Sequence, residues 1–188
     1  MKNLVLASES PRRQELLKIL GIPFSVVPSS ITEVPALNEP PEAFVVRMAR
    51  EKGIEVASRV THSVILSADT IVTLDDEILG KPSDEADARR MLRKLSGRQH
   101  LVYTAVSVID QPSGRAHEGL ECTKVWFREI TDKEISCYLE RENVLDKAGA
   151  YAIQGYAGIY IPRIDGNYFN VMGLPLPLVQ DLLCRTSS

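Results

Sequence analysis

The chain has 188 residues, 44% of them hydrophobic and 25% charged, which suits one sizeable soluble domain or two lobes sharing a sheet. Its 25 acidic and 22 basic side chains leave a formal net charge of −3, which argues against the broad basic field of a nucleic-acid coat or a membrane-surface protein. The cysteines Cys122, Cys137 and Cys184 are widely spaced without a C-x-x-C pair, and His62, His100 and His117 show no ligand spacing with them, so the pattern speaks for reduced thiols and against zinc.

Residues 3–7 read as a strand, an apolar run too short for a signal peptide, and no run approaches membrane-spanning length; a cytoplasmic protein is expected. A helix near 11–20 follows, with Ser10 as N-cap, Pro11 as the first helical residue, Leu16, Leu17 and Leu20 as apolar face, and Gly21 and Pro23 as the stop. A strand is predicted near 24–28, then a Pro-rich loop over 29–42 carrying Glu33, Glu39 and Glu42, a helix from about 41 to 59, and a strand at 64–73. "DDE" at 75–77 reads as a turn into a short partner strand and "GKP" at 80–82. Ser83 is read as the cap of the next helix, whose stripe is Ala88, Met91, Leu92 and Leu95 and whose end is Gly97. Strands near 100–109 and 117–130 are joined across "DQPSGR" at 110–115. Thr131 and Glu134 form a capping box that opens a helix to about 141. "IDGNY" at 164–168 marks a late hairpin, and Pro175 or Pro177 begins a terminal helix. Alternating strands and helices that give way to hairpins predict an α/β domain with a mixed, twisted sheet and flanking helices, without an internal boundary.

Several charged residues break the local rules. Arg12 and Arg13 stand in the first turn of a helix, where the macrodipole and free N–H groups already favour anions. Two readings fit: an anion cradle formed with Ser8 at a strand-to-helix turn, or surface arginines paired with Glu9 or Glu15. Lys52 lies at helical spacing from Val45, Met48, Ala49 and Val56, so it interrupts an apolar stripe; it either snorkels at the stripe's edge or aims into a cleft. Alternation puts Asp69 on one strand face with Ile65, Ser67, Ile71 and Thr73, where a carboxylate is costly unless paired, bonded or metal-bound, which favours a functional role. Lys81 is held in a turn by Gly80 and Pro82. Gln154, in the small-residue stretch "AGAYAIQG", has an amide that can read a base edge or satisfy loop carbonyls.

Together "LASxSPRRxELL" (6–17), "ADTIV" (68–72), "GKP" (80–82), "SGRQHLVYTAV" (96–106), "DKAGAYAIQG" (146–155) and "VMGLPL" (171–176) resemble the Maf family of nucleotide pyrophosphatases, also called septum-formation inhibitors. The resemblance spans nearly the whole chain and implies a single domain over 1–188, with an inosine triphosphate pyrophosphatase-like fold of two lobes around a cleft. The implied reaction splits a nucleoside triphosphate into monophosphate and pyrophosphate with Mg²⁺ or Mn²⁺, in a homodimer, with a house-cleaning role and a link to cell-division arrest. Arg12, Thr70 and Gln154 are similar to the family branch that acts on dTTP, UTP and modified uridine triphosphates. The branch acting on 7-methyl-GTP carries "SDQ" for "ADT" and glutamate in place of Gln154. The resemblance implies that Asp69 is the general base or a metal ligand, that Ser8, Arg13, Lys52 and Lys81 bind phosphate, that Arg12, Thr70 and Gln154 choose the base, and that Glu33 holds the metal. A 7-methyl-GTP pyrophosphatase and a non-catalytic nucleotide-binding regulator of septum formation are the alternatives.

Overall fold

The long strand predicted at 64–73 is the element to which the rest of the molecule registers. In the computed structural model, which describes residues 3–111 and 113–186, it runs from Ser63 to Leu74 as β3. The other elements are β1 (Asn3–Leu6), α1 (Pro11–Ile19), β2 (Phe24–Val26), α2 (Pro41–Ala57), β4 (Glu77–Leu79), α3 (Glu85–Leu95), β5 (Gln99–Asp110), β6 (Ala116–Trp126), α4 (Asp132–Arg141), β7 (Arg163–Asp165), α5 (Tyr168–Met172) and α6 (Leu176–Thr186). The strands make one sheet in the order β2-β1-β3-β5-β6-β7, with β4 paired to β3 off that path. β2, β1 and β3 are parallel, joined by crossover helices; every other pairing is antiparallel. The expected mixed α/β sheet with flanking helices is therefore present.

Period-two alternation along β3 sorts its side chains between two layers. Leu66 and Ala68 pack with Leu16 and Leu17 of α1 and Val179 and Leu182 of α6. Further along the same face, Val72 and Leu74 pack with Leu92 and Leu95 of α3 and Ile135 and Tyr138 of α4. The opposite face meets α2: Ile65 packs with Val56, and Ile71 with Val45 and Met48. Two apolar lobes thus share one sheet, with Thr70 between them. β1 pairs with β3 only over Ser63–Leu66, and β4 only over Val72–Leu74, so the edge of β3 between those stretches has no partner strand among the described residues. Among the described residues no helix is long and apolar enough to cross a membrane.

Three local expectations are corrected. Asp84, not Ser83, caps α3: its carboxylate accepts the Asp87 N–H at 2.7 Å, while the Ser83 N–H donates to Asp87. β6 stops at Trp126 rather than 130, because the next N–H groups turn away, Phe127 to the Arg98 carbonyl and Arg128 to that of Tyr160. "IDGNY" is not a hairpin. Its first residues pair as β7 with the distant β6, and Asn167 then caps α5 by accepting the Asn170 N–H. The capping box at Thr131 and Glu134 forms as expected. Of the turn read at 110–115, Pro112 lies outside the described residues.

Candidate active site

The open edge of β3 floors a cleft of about 390 Å³ between the lobes. Every candidate residue lines it: Ser8, Arg12, Arg13, Glu33, Lys52, Asp69, Thr70, Lys81 and Gln154. Because the strand edge is open, the side chains of Asp69 and Thr70, which leave β3 on opposite faces, both reach this one cavity.

Arg13 closes the gap in the sheet. Ser10 caps α1 and starts it at the end of β1, which points the first turn at β3. The Arg13 guanidinium then takes the place of a strand: Nη1 donates to the Ala68 carbonyl at 2.8 Å, Nε to the Gly173 carbonyl at 2.8 Å, and Nη2 to Thr70 Oγ1 at 2.9 Å. A further Nη1 bond reaches Ser8 Oγ at 3.4 Å. Burial lowers the Arg13 pKa, while the charges of Asp69 and Glu33 support the cation. Ser8 Oγ also accepts the Ser10 N–H at 3.2 Å, so its own proton is left to donate into the cleft.

Lys52 is buried, which decides between snorkelling and the cleft. α2 lies close on β3 because Gly53 has no side chain; a Cβ there would come within 2.7 Å of Ser67 Oγ. That approach sets Lys52 Nζ 2.5 Å from Asp69 Oδ1 and 2.6 Å from Glu33 Oε1. Glu33 reaches it from the Pro-rich loop, which Arg47 of α2 pins by donating to Glu39 at 2.7 Å and to the Val34 carbonyl at 3.0 Å. Burial raises the Asp69 pKa and outweighs the pull of Lys52 and Arg13. Burial pushes Glu33 up as well, but Lys52, Lys81 and Arg13 together hold it below the usual carboxylate range.

The outer end of the cleft is built differently. Arg12 Nη1 reaches Asp146 Oδ2 at 3.2 Å, with side-chain exposures of 28% and 52%. Lys147 pairs with the other oxygen of Asp146 at 2.7 Å. Lys81 and Gln154 are exposed on the rim. The rim segment approaches β3 closely: Gly149 has φ +68 and would place a Cβ 3.1 Å from Val72, and its N–H bonds the Gly80 carbonyl beside Lys81 at 3.0 Å. Asp146 and Lys147 were not singled out in the sequence, although "DKAGAYAIQG" contains both. Thr104, also missed, meets Thr70 across the ladder at 3.0 Å.

The donor set can be tested for a divalent metal. Glu33 and Asp69 converge on one point, which Lys52 Nζ marks. Among the described residues no group of three or more histidines, cysteines and carboxylates stands together, so the protein offers no complete cage. Two hard carboxylates fit Mg²⁺ or Mn²⁺ that keeps its waters and shares phosphate oxygens.

Known proteins resemble this chain along nearly its whole length. The family model described as Maf-like protein matches residues 3–186. A dTTP/UTP pyrophosphatase of Geobacter sulfurreducens is 50% identical over 184 residues, 95% of this chain and 94% of the relative. One from Moorella thermoacetica is 47% identical over 97% of this chain and 94% of its own length. One from Caldanaerobacter subterraneus is 44% identical over 97% and 88%. With the model matched almost end to end and relatives this similar, the chain belongs to the Maf family.

Proposed function

We propose that this protein hydrolyses dTTP and UTP to the nucleoside monophosphate and pyrophosphate. The observation that carries the reading is one buried carboxylate, Asp69, ringed by Lys52 and Arg13 at the floor of a cleft, with further cations at its rim. The relatives named for this activity and the occupants of positions 12, 70 and 154 support the choice of nucleotide.

Water attacks the α-phosphorus, a P–O bond forms, and the bond to the oxygen bridging the α- and β-phosphorus breaks as pyrophosphate leaves. Asp69 Oδ1 is held by Lys52, so Oδ2 is the atom that takes the water's proton. Burial that raises the Asp69 pKa makes it a stronger base for that transfer. Lys52, Arg13 and Lys81 supply positive charge where negative charge gathers on the departing pyrophosphate. Arg13 has one Nη2–H beyond its protein bonds to offer a phosphate oxygen, and Ser8 offers its hydroxyl proton. With Asp69 acting as the base, Glu33 would hold Mg²⁺ or Mn²⁺ through the oxygen that Lys52 does not engage, and the metal would lower the pKa of water and screen phosphate charge. Arg12, Thr70 and Gln154 choose the base. The same proposal carries a cytoplasmic homodimer; light scattering that gives a monomer mass would remove that part.

Pyrophosphate release from dTTP, UTP, CTP, GTP and 7-methyl-GTP, each with Mg²⁺ or Mn²⁺, tests the reading. Preferential turnover of dTTP and UTP is expected. Preference for 7-methyl-GTP would overturn the choice of nucleotide, and no release from any would leave a nucleotide-binding regulator.

A further inference from the structure

Behind Thr70, between the two apolar lobes, runs a belt of buried polar side chains that the proposed chemistry does not use. Thr70 and Thr104 are directly opposite in the β3–β5 register. Thr123 follows on β6, and Asn170 reaches them from α5; Thr104, Thr123 and Asn170 have no exposed surface. Such groups are costly in an apolar layer unless bonded, and here they form a chain. Arg13 Nη2 donates to Thr70 Oγ1 at 2.9 Å, Thr70 and Thr104 Oγ1 are 3.0 Å apart, and Thr104 Oγ1 donates to the Asn170 carbonyl at 3.1 Å. Asn170 Nδ2 donates to the Val102 carbonyl and to Thr123 Oγ1, both at 2.9 Å, and so anchors the far end.

Proton counting gives this chain a direction. A carbonyl can only accept, so the Thr104 proton goes to Asn170 and Thr104 Oγ1 becomes an acceptor. A guanidinium can only donate, so Thr70 Oγ1 accepts from Arg13. The Thr70 proton then goes to Thr104 Oγ1 at 3.0 Å, the closer of the two acceptors in reach; the Gly173 carbonyl stands at 3.4 Å. Both acceptors lie inside the protein. Thr70 therefore shows the cleft a lone pair.

We propose that Thr104 is a positioning residue: by accepting the Thr70 hydroxyl proton it makes Thr70 an acceptor toward the cleft and so selects a base that presents an N–H donor. The inference rests on the dTTP/UTP reading and on Thr70 facing the base. Uracil and thymine carry N3–H, whereas cytosine has a lone pair at N3, which a fixed acceptor repels.

The test is the ratio of kcat/KM for UTP over CTP in the wild-type protein, Thr104→Val and Thr104→Ser. Valine keeps the shape and removes the acceptor. The expected result is a ratio about tenfold lower in Thr104→Val, with the loss in KM for UTP, and recovery in Thr104→Ser. A general structural defect lowers both substrates alike and leaves the ratio unchanged; an unchanged ratio in a folded variant overturns the inference alone. Wild-type protein that turns over neither UTP nor dTTP overturns the dTTP/UTP reading and the inference with it. Should Thr104→Val fail to fold, 3-methyl-UTP asks the same question of the unmutated protein. Turnover no better than CTP supports the inference, and turnover equal to UTP overturns it.

Discussion

The floor and the rim of the cleft are built on opposite plans. At the floor, Lys52 bonds Asp69 and Arg13 bonds the Ala68 carbonyl at the edge of the sheet, and Lys52 and Asp69 are nearly out of reach of solvent. At the rim, Arg12 has one longer ion pair with an exposed Asp146, and Lys81 and Gln154 stand exposed. A buried, cross-bonded set holds its geometry before a ligand arrives, which is what proton transfer and charge stabilisation need. A solvated set adjusts to its ligand, which suits recognition. The difference is therefore a division of labour, and substitutions on either side can break or sharpen it.

The largest effect is expected at the floor. Asp69→Asn should lower kcat by about a thousandfold, with KM changed by less than about threefold, because it removes the proton acceptor and keeps the shape; steady-state kinetics on UTP reads this, and equal loss of binding would count against the base role. The raised Asp69 pKa also places the acid limb of kcat/KM above the usual carboxylate value of 3.8, since activity disappears as the pH falls through the raised pKa and the base is protonated. Next in size, Arg13→Ala should cost binding and turnover together and destabilise the fold by roughly 2–5 kcal/mol, because the carbonyls of Ala68 and Gly173 lose their partner. Urea denaturation measures the second part. Arg13→Lys should not restore it, since an ammonium cannot span three acceptors in a fork.

A buried histidine behind the cleft supplies a pH dependence of another kind. His100 is 2% exposed, contacts Tyr151 at 2.7 Å, and burial lowers its pKa from 6.5 to about 3. Between those values the unfolded chain binds a proton that the folded one does not. Its contribution to stability is thus complete above pH 6.5 and is lost as the pH falls toward 3, with a slope of up to about 1.4 kcal/mol per pH unit. His100→Phe should flatten that slope in denaturation series at stepped pH. The smallest effect on stability belongs to the rim. Arg12→Ala should leave the unfolding free energy within about 0.5 kcal/mol of wild type, as loss of an exposed pair does, yet raise KM for UTP several-fold. A large stability loss from Arg12→Ala would erase the contrast between floor and rim.

Much of the floor was legible in the sequence, because its residues violate local expectations. An aspartate amid β-branched residues, a lysine in an apolar stripe and arginines at a helix start each conflict with a rule that depends only on neighbours in the chain. What joins them was not legible. The open edge of β3 arises from where β1 ends and β4 begins, which is a matter of long-range pairing. Thr104 reads locally as an ordinary strand residue and Asn170 falls between predicted elements; the register with Thr70 and the bonds from Asn170 reveal their work. Local periodicity likewise placed most elements, whereas "IDGNY" misled because Gly and Asn signal a turn without specifying the element beyond it. There the partner of β7 lies about forty residues upstream, and Asn167 serves as a helix cap.

Phosphorus NMR of UTP turned over with Mg²⁺ tests most directly whether this floor performs the chemistry assigned to it. The account predicts UMP and pyrophosphate in equal amounts from the wild-type protein, and almost no conversion by Asp69→Asn over the same time. UDP with orthophosphate, or undiminished conversion by Asp69→Asn, would contradict it.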